Sequence, residues 1–157
     1  MRLARLPLVS FGATSAIVTS VGLIVGFGSA DVPKPAIISG LLIVGLADNL
    51  TDTLSIHIFQ ESELLEQRAA FRATIGNFLT RACIAATFVA LMVLLSGSLA
   101  VLSCLAWGLM LLVGLTYFVA RNRDVSVTSE LIKHIALAAV VILASGLIGS
   151  SIRIFIH

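Results

Sequence analysis

The stretch GLLIVGLADNLTDTLSIHIFQESELLEQ, residues 40–67, decides how this chain is read. It opens as an apolar run fit for a bilayer. Two aspartates, Asp48 and Asp52, then stand four residues apart, with His57 just beyond. A carboxylate inside a membrane span is costly, and such residues usually face a bundle interior or a water-filled path. Two of them on one helical face mark this stretch as the place to look for function.

The rest of the chain argues for lipid as solvent. Of its 157 residues, 59% are hydrophobic and only 11% charged, with mean hydropathy +1.11. Soluble domains carry about 25% charged residues. The net charge of +2 is too small to point to nucleic acid. Cys83 and Cys104 lie in apolar runs without CxxC spacing, which suggests small packed residues and neither a thiol metal site nor a disulfide framework. No HExxH pattern or nucleophile elbow appears, so neither an enzyme nor a resident cofactor is expected.

Five segments are long and apolar enough to cross a bilayer as helices, about 8–28, 36–60, 78–96, 99–120 and 131–152. The first follows Arg2 and Arg5 as a signal peptide would. It is longer than the usual h-region of about 7–15 residues, and four more runs follow, so it reads as a retained span. The expected fold is an all-α integral membrane protein, one five-span domain over 1–157. Pro33 and Pro35 break the chain between spans one and two, and Ser96–Ser98 make a tight turn between three and four. Span two is followed by strong helix formers up to Gly76 and is expected to continue as one helix to about residue 74, roughly 58 Å in all.

Basic residues set the expected orientation. Arg2, Arg5, Arg68, Arg72, Arg81, Arg121, Arg123 and Lys133 fall at one set of span ends, with Arg81 and Lys133 read as span edges. Only Lys34 and Arg153 fall at the other. Lys and Arg accumulate on cytoplasmic connectors, so the N-terminus is expected inside and the C-terminus outside.

On a helix wheel Asp48, Asp52, Ser55, Glu63 and Glu66 fall within about 80° of one another, while Asn49, Thr53, His57 and Gln60 form a second stripe about 100–180° from Asp48. One copy of this helix therefore cannot bring His57 and Asp48 onto one ion. Carboxylates are hard oxygen ligands suited to a divalent cation or to proton exchange. The other reading of Asp48 and Asp52 is structural, as hydrogen-bond acceptors for Ser and Thr of neighbouring helices. In span one Ser15, Thr19, Gly22 and Gly26 recur at helical spacing; the glycines suit close packing and the hydroxyls could line a path.

FGATSAIVTSVGLIVGFG in span one, a short proline-containing loop, and GLADNLTDTLSIHIFQESE in span two together resemble the vacuolar iron transporter family. The likeness covers about the first 65 residues, and five spans with a closing ASGLIG are compatible with it. Asp48 and Glu63 match acidic positions of the family's span-two pattern. Ser15 stands where the family has an aspartate, Asp52 where it has methionine, and Ile56 and His57 replace a Glu-Tyr pair. The family's metal-binding insertion between spans two and three is absent or reduced to Glu61, Glu63 and Glu66. The resemblance implies a homodimeric inner-membrane transporter exporting a divalent metal of the iron or manganese class in exchange for protons, with the path between subunits. Asp48, Asp52, Glu63, Glu66 and His57 are the expected metal residues, and Ser15, Thr19, Asn49 and Ser55 the expected path lining. The alternative is a membrane scaffold or regulatory relative that kept the fold and lost transport, for which Ser15 is the main sign.

Overall fold

The computed structural model describes residues 6–62, 67–123 and 125–156, and these form five helices: α1 (Leu6–Ser29), α2 (Lys34–Ser62), α3 (Gln67–Leu94), α4 (Gly97–Asn122) and α5 (Val127–Ile156). Each contains a stretch long and apolar enough to cross a membrane: Gly12–Ser29, Lys34–Phe59, Thr74–Leu94, Gly97–Asn122 and Val127–Phe155. The expected all-helical, five-span architecture is thus observed in outline.

Two boundaries differ from expectation. The single helix to about residue 74 is not formed: α2 ends at Ser62 and residues 67–74 belong to α3. The chain reverses between them, since Lys34 reaches the carbonyls of Val93 and Leu95, and Asn49 that of Phe78. Helix propensity favours helix on both sides of the reversal, so it could not locate the break. Arg81 is also no span edge. It lies a full two turns into α3's apolar segment and is 2% exposed. Without it, seven basic residues of the expected cytoplasmic set remain in the sequence against Lys34 and Arg153.

α1 is the central helix and touches all four others, whereas among the described residues α2 touches only α1 and α3. Ile17, Val21 and Ile24 of α1 meet Leu41, Phe88 and Leu112 from α2, α3 and α4 in the core. Close approach depends on small residues. α4 buries a stripe at i,i+4 spacing, Ala100, Cys104, Gly108, Leu112, Thr116 and Ala120. At the α1–α5 crossing, a Cβ on Gly149 would lie 2.1 Å from the Gly26 carbonyl oxygen. The glycines of span one, read as packing residues, do pack closely, Gly22 and Gly26 both against α5. The outward faces of α2 and α5 are rich in exposed Leu and Ile, as a lipid-facing surface requires.

The end of the bundle away from the α2–α3 reversal is fixed by polar contacts. α1 ends in a Schellman turn: Val32 N–H bonds to Phe27 carbonyl and Asp31 N–H to Gly28 carbonyl, with Asp31 at φ +56°. Asp31 also receives a hydrogen bond from Arg153 of α5 at 3.2 Å. Lys34 Nζ donates to Leu95 carbonyl at 2.7 Å, satisfying the C-terminus of α3. Both basic residues at this end are thereby used.

Gly149→Ala should destabilise the fold by about 1–3 kcal/mol, because the new methyl meets backbone that cannot rotate away. Gly114→Ala, where a Cβ meets nothing within 4 Å, should be neutral or slightly stabilising. Unfolding of both variants in detergent, followed by thermal aggregation, checks the pair.

Candidate functional site

The two aspartates of α2 converge on one arginine of α3. Arg81 Nη2 donates to Asp48 Oδ2, and Nη1 donates to Asp52 Oδ2. The geometry follows from helix spacing. Residues at i and i+4 stack on one face, so the carboxylates are presented a turn apart to the two-pronged guanidinium. The Arg81 side chain is 3% exposed, while those of Asp48 and Asp52 are 37% and 25% exposed. The arginine is thus sealed between helices and the carboxylates sit at the edge of the packed surface. Each aspartate gives only Oδ2 to Arg81, and neither Oδ1 has a hydrogen bond among the described residues.

α1 closes the site from the side. A small cavity of about 10 Å³, room for roughly one water, lies against Asp48 and Arg81, bounded by Ala16, Thr19, Ser20 and Gly45. Thr19, Leu23 and Val44 also border a wide groove of about 530 Å³ between α2 and α5, floored by Gly22 and Gly26 of α1. Asp48 itself lines the small cavity and not the wider groove.

The expected residues are divided by the structure. Asp48 and Asp52 are brought together, and Thr19 borders the cavity beside them. Ser15, a turn earlier, is half-buried and does not border it. Asn49 is 2% exposed and gives its amide N–H to the Phe78 carbonyl at 3.0 Å, an α2–α3 tie. Ser55 is exposed, and His57 is half-buried a turn beyond Thr53. Glu63 and Glu66 lie outside the described residues. No group of three His, Cys, Asp or Glu that could hold a metal occurs among the described residues. One chain therefore supplies two carboxylates and an arginine, not a complete metal site.

Sequence reasoning missed Arg81, Asn77, Gly12 and Ser20. Asn77 is fully buried one turn from Arg81, and a Cβ on Gly12 would lie 1.9 Å from its Oδ1. The available signal for Arg81 was its place inside an apolar run, opposite a span that carries two unexplained carboxylates.

Comparison with known proteins finds no matching family model, no matching curated protein and no matching solved structure. The resemblance to vacuolar iron transporters rests on the quoted residues alone.

Removing Arg81 would leave two carboxylates in the span without a partner. Arg81→Ala should cost about 3–5 kcal/mol, as for a broken buried ion pair. The triple variant Arg81→Met, Asp48→Asn, Asp52→Asn removes both signs of charge and should recover most of that stability. SDS-titrated unfolding in bilayer-mimetic micelles measures both; an Arg81→Ala protein as stable as the parent would show that the ion pair does not hold the helices.

Proposed function

We propose that the chain is a divalent metal transporter of the iron or manganese class, acting as a homodimer with the Asp48–Asp52 pair as its ion-binding element. The observation that carries this reading is the half-exposed carboxylate pair on a membrane span, with one oxygen of each aspartate unused. A single subunit offers too few ligands. A second copy meeting the same edge of α2 would bring four carboxylates and two guanidinium groups together, a net charge of −2 that one divalent cation neutralises.

In this reading Arg81 is the resident counter-charge. It keeps the carboxylates partnered while no metal is bound, which avoids an isolated anion in the span. A metal arriving at the free Oδ1 atoms competes with Arg81 for the same carboxylates. Protonation of the aspartates would release metal, so proton exchange and metal export from the cytoplasm share one element. The hard oxygen ligands suit Mn²⁺ or Mg²⁺ about as well as Fe²⁺. The basic ends of the spans support a cytoplasmic N-terminus in a bacterial inner membrane.

One observation favours the second reading, a membrane scaffold or regulatory subunit. Arg81 already binds both carboxylates, as a permanent clamp between α2 and α3 would.

Purified protein in liposomes, tested with Fe²⁺, Mn²⁺, Co²⁺, Zn²⁺ and Mg²⁺, separates the two. A transporter should move at least one of these ions, and Asp48→Asn or Asp52→Asn should slow it by about tenfold or more while leaving the dimer intact. Flux of none of them by folded protein would favour the scaffold. For orientation, single cysteines replacing Arg2 and His157 in a background lacking Cys83 and Cys104 should react with an impermeant reagent from outside at position 157 only. Labelling at position 2 would reverse the assignment.

A further inference from the structure

α2 and α5 do not touch among the described residues, and the groove of about 530 Å³ runs between them. α1 lines it from Val18 to Val32 and α5 from Val141 to Ile152. Apart from Thr19 and Ser145 the lining is apolar or glycine. Except for Ala30 and Val32, just past the end of α1, it lies within stretches able to cross a membrane. Apolar cavities stay dry, so water does not fill this one.

The shape selects among apolar occupants. Val18 to Ala30 is twelve residues, roughly 18 Å of helix. Spread over that length, the volume gives a cross-section of about 30 Å². A helix about 10 Å across needs roughly 80 Å². A helix of a second copy would therefore lie across the mouth without entering, whereas an extended hydrocarbon chain fits. The length agrees, since one leaflet supplies about 15 Å of a hydrocarbon core about 30 Å thick.

Charge sits at one end of the groove. Ala30 and Val32 line that end with Asp31 between them, and Ile152 lines it from α5 with Arg153 next in the chain. Arg153 Nη1 donates to Asp31 Oδ2 at 3.2 Å, so the pair links α1 and α5 there. The Arg153 side chain is 50% exposed and that of Asp31 67%. Arg153 makes no other hydrogen bond among the described residues, which leaves Nη2 and Nε as donors. Lys34, the other basic residue at this end, is spent on the Val93 and Leu95 carbonyls. A guanidinium takes a phosphate through paired N–H groups. The carboxylate beside it repels a further anion and attracts an ammonium group. A cation and an anion side by side match a headgroup that carries both, a phosphate esterified to ethanolamine.

We infer that the groove binds one phospholipid with an ethanolamine headgroup. One acyl chain lies along α1 between α2 and α5, with the phosphate on Arg153 and the ammonium at Asp31. The far end of the chain reaches Thr19, Leu23 and Val44, which also border the small cavity beside Asp48 and Arg81. The lipid thus covers that side of the ion-pair site. The inference does not depend on the transport reading.

Native mass spectrometry of the full-length protein in detergent, with dioleoyl lipids that differ only in headgroup, tests it. Phosphatidylethanolamine should be retained at one molecule per chain, about threefold to fivefold more tightly than phosphatidylglycerol. Arg153→Gln should weaken that retention about tenfold, the loss of one charge-assisted contact. Asp31→Asn should abolish the preference over phosphatidylglycerol. Both side chains are exposed, and Asn tolerates the positive φ at position 31, so neither change threatens the fold. Ile148→Trp, at a 61% exposed position of the groove wall, should lower retention of both lipids. Glycerophosphoethanolamine, the headgroup without chains, should leave the bound lipid in place at equal concentration. Equal retention of the two lipids by the parent protein, or retention unchanged by Arg153→Gln, would overturn the inference. Displacement by the chainless headgroup would do the same, since the groove would then contribute nothing. Lipid-free dimers that Ile148→Trp splits into monomers would give the groove to a second copy and also overturn it.

Discussion

The contact on which the structure turns is the arginine of α3 held between two aspartates of α2. Three charged groups inside an apolar bundle are tolerable only together, since each alone carries a desolvation cost that hydrocarbon cannot offset. That requirement fixes which face of α2 meets α3 and at what register. The other ties between these helices agree with it. Asn49 meets Phe78 on one side of Arg81, and Lys34 reaches Val93 and Leu95 on the other. A shift of one turn would break all of them at once and strand the charges. The α2–α3 hairpin is therefore specified by polar contacts, where a soluble hairpin of helices would rely on apolar burial.

The remaining helices are placed by a different means. Between helices in lipid there is little hydrophobic gain, so close packing of small residues takes over. α1 presents Gly12 to Asn77, Val21 to Gly108 of α4, and Gly26 to Gly149 of α5, and each pair meets closer than a larger side chain would permit. A central helix that touches four neighbours needs several such contacts at different angles around its axis, which explains the Gly, Ala, Ser and Thr content of a span that could have been all Leu and Ile.

The number and approximate position of the helices were legible because apolar runs of this length have one low-energy state in a bilayer. Asp48 and Asp52 were legible as a pair because spacing of four puts two side chains on one face. Their partner was not. Counting basic residues at span ends treats an arginine near a boundary as interfacial, and only the pairing across helices shows that Arg81 belongs inside. Asn77 was missed for a related reason. Asn77 in the sequence IGNFLTR looks like a polar residue near a span end, and its burial depends on Gly12, sixty-five positions earlier. Residues 60–75 contain no Pro or Gly, so no local signal marks the reversal between α2 and α3.

The unequal support of the five helices bears on how the site can work. α2, which carries both carboxylates, packs against two helices only, α3 on one side and α1 on another, with the recess of about 530 Å³ separating it from α5. Elements with few packed contacts rearrange at the lowest free-energy cost. Arg81, by contrast, is anchored on α3, which also packs against α1 and α4. The charge pair thus joins a helix with two neighbours to one with three. Any group that displaces Arg81 from Asp48 and Asp52, whether a metal ion or a proton on each carboxylate, removes the strongest tie holding α2 in place. Occupancy of the carboxylates and the position of α2 are then coupled through a single side chain, and the coupling requires no signal to pass through the tightly packed α1–α4–α5 core.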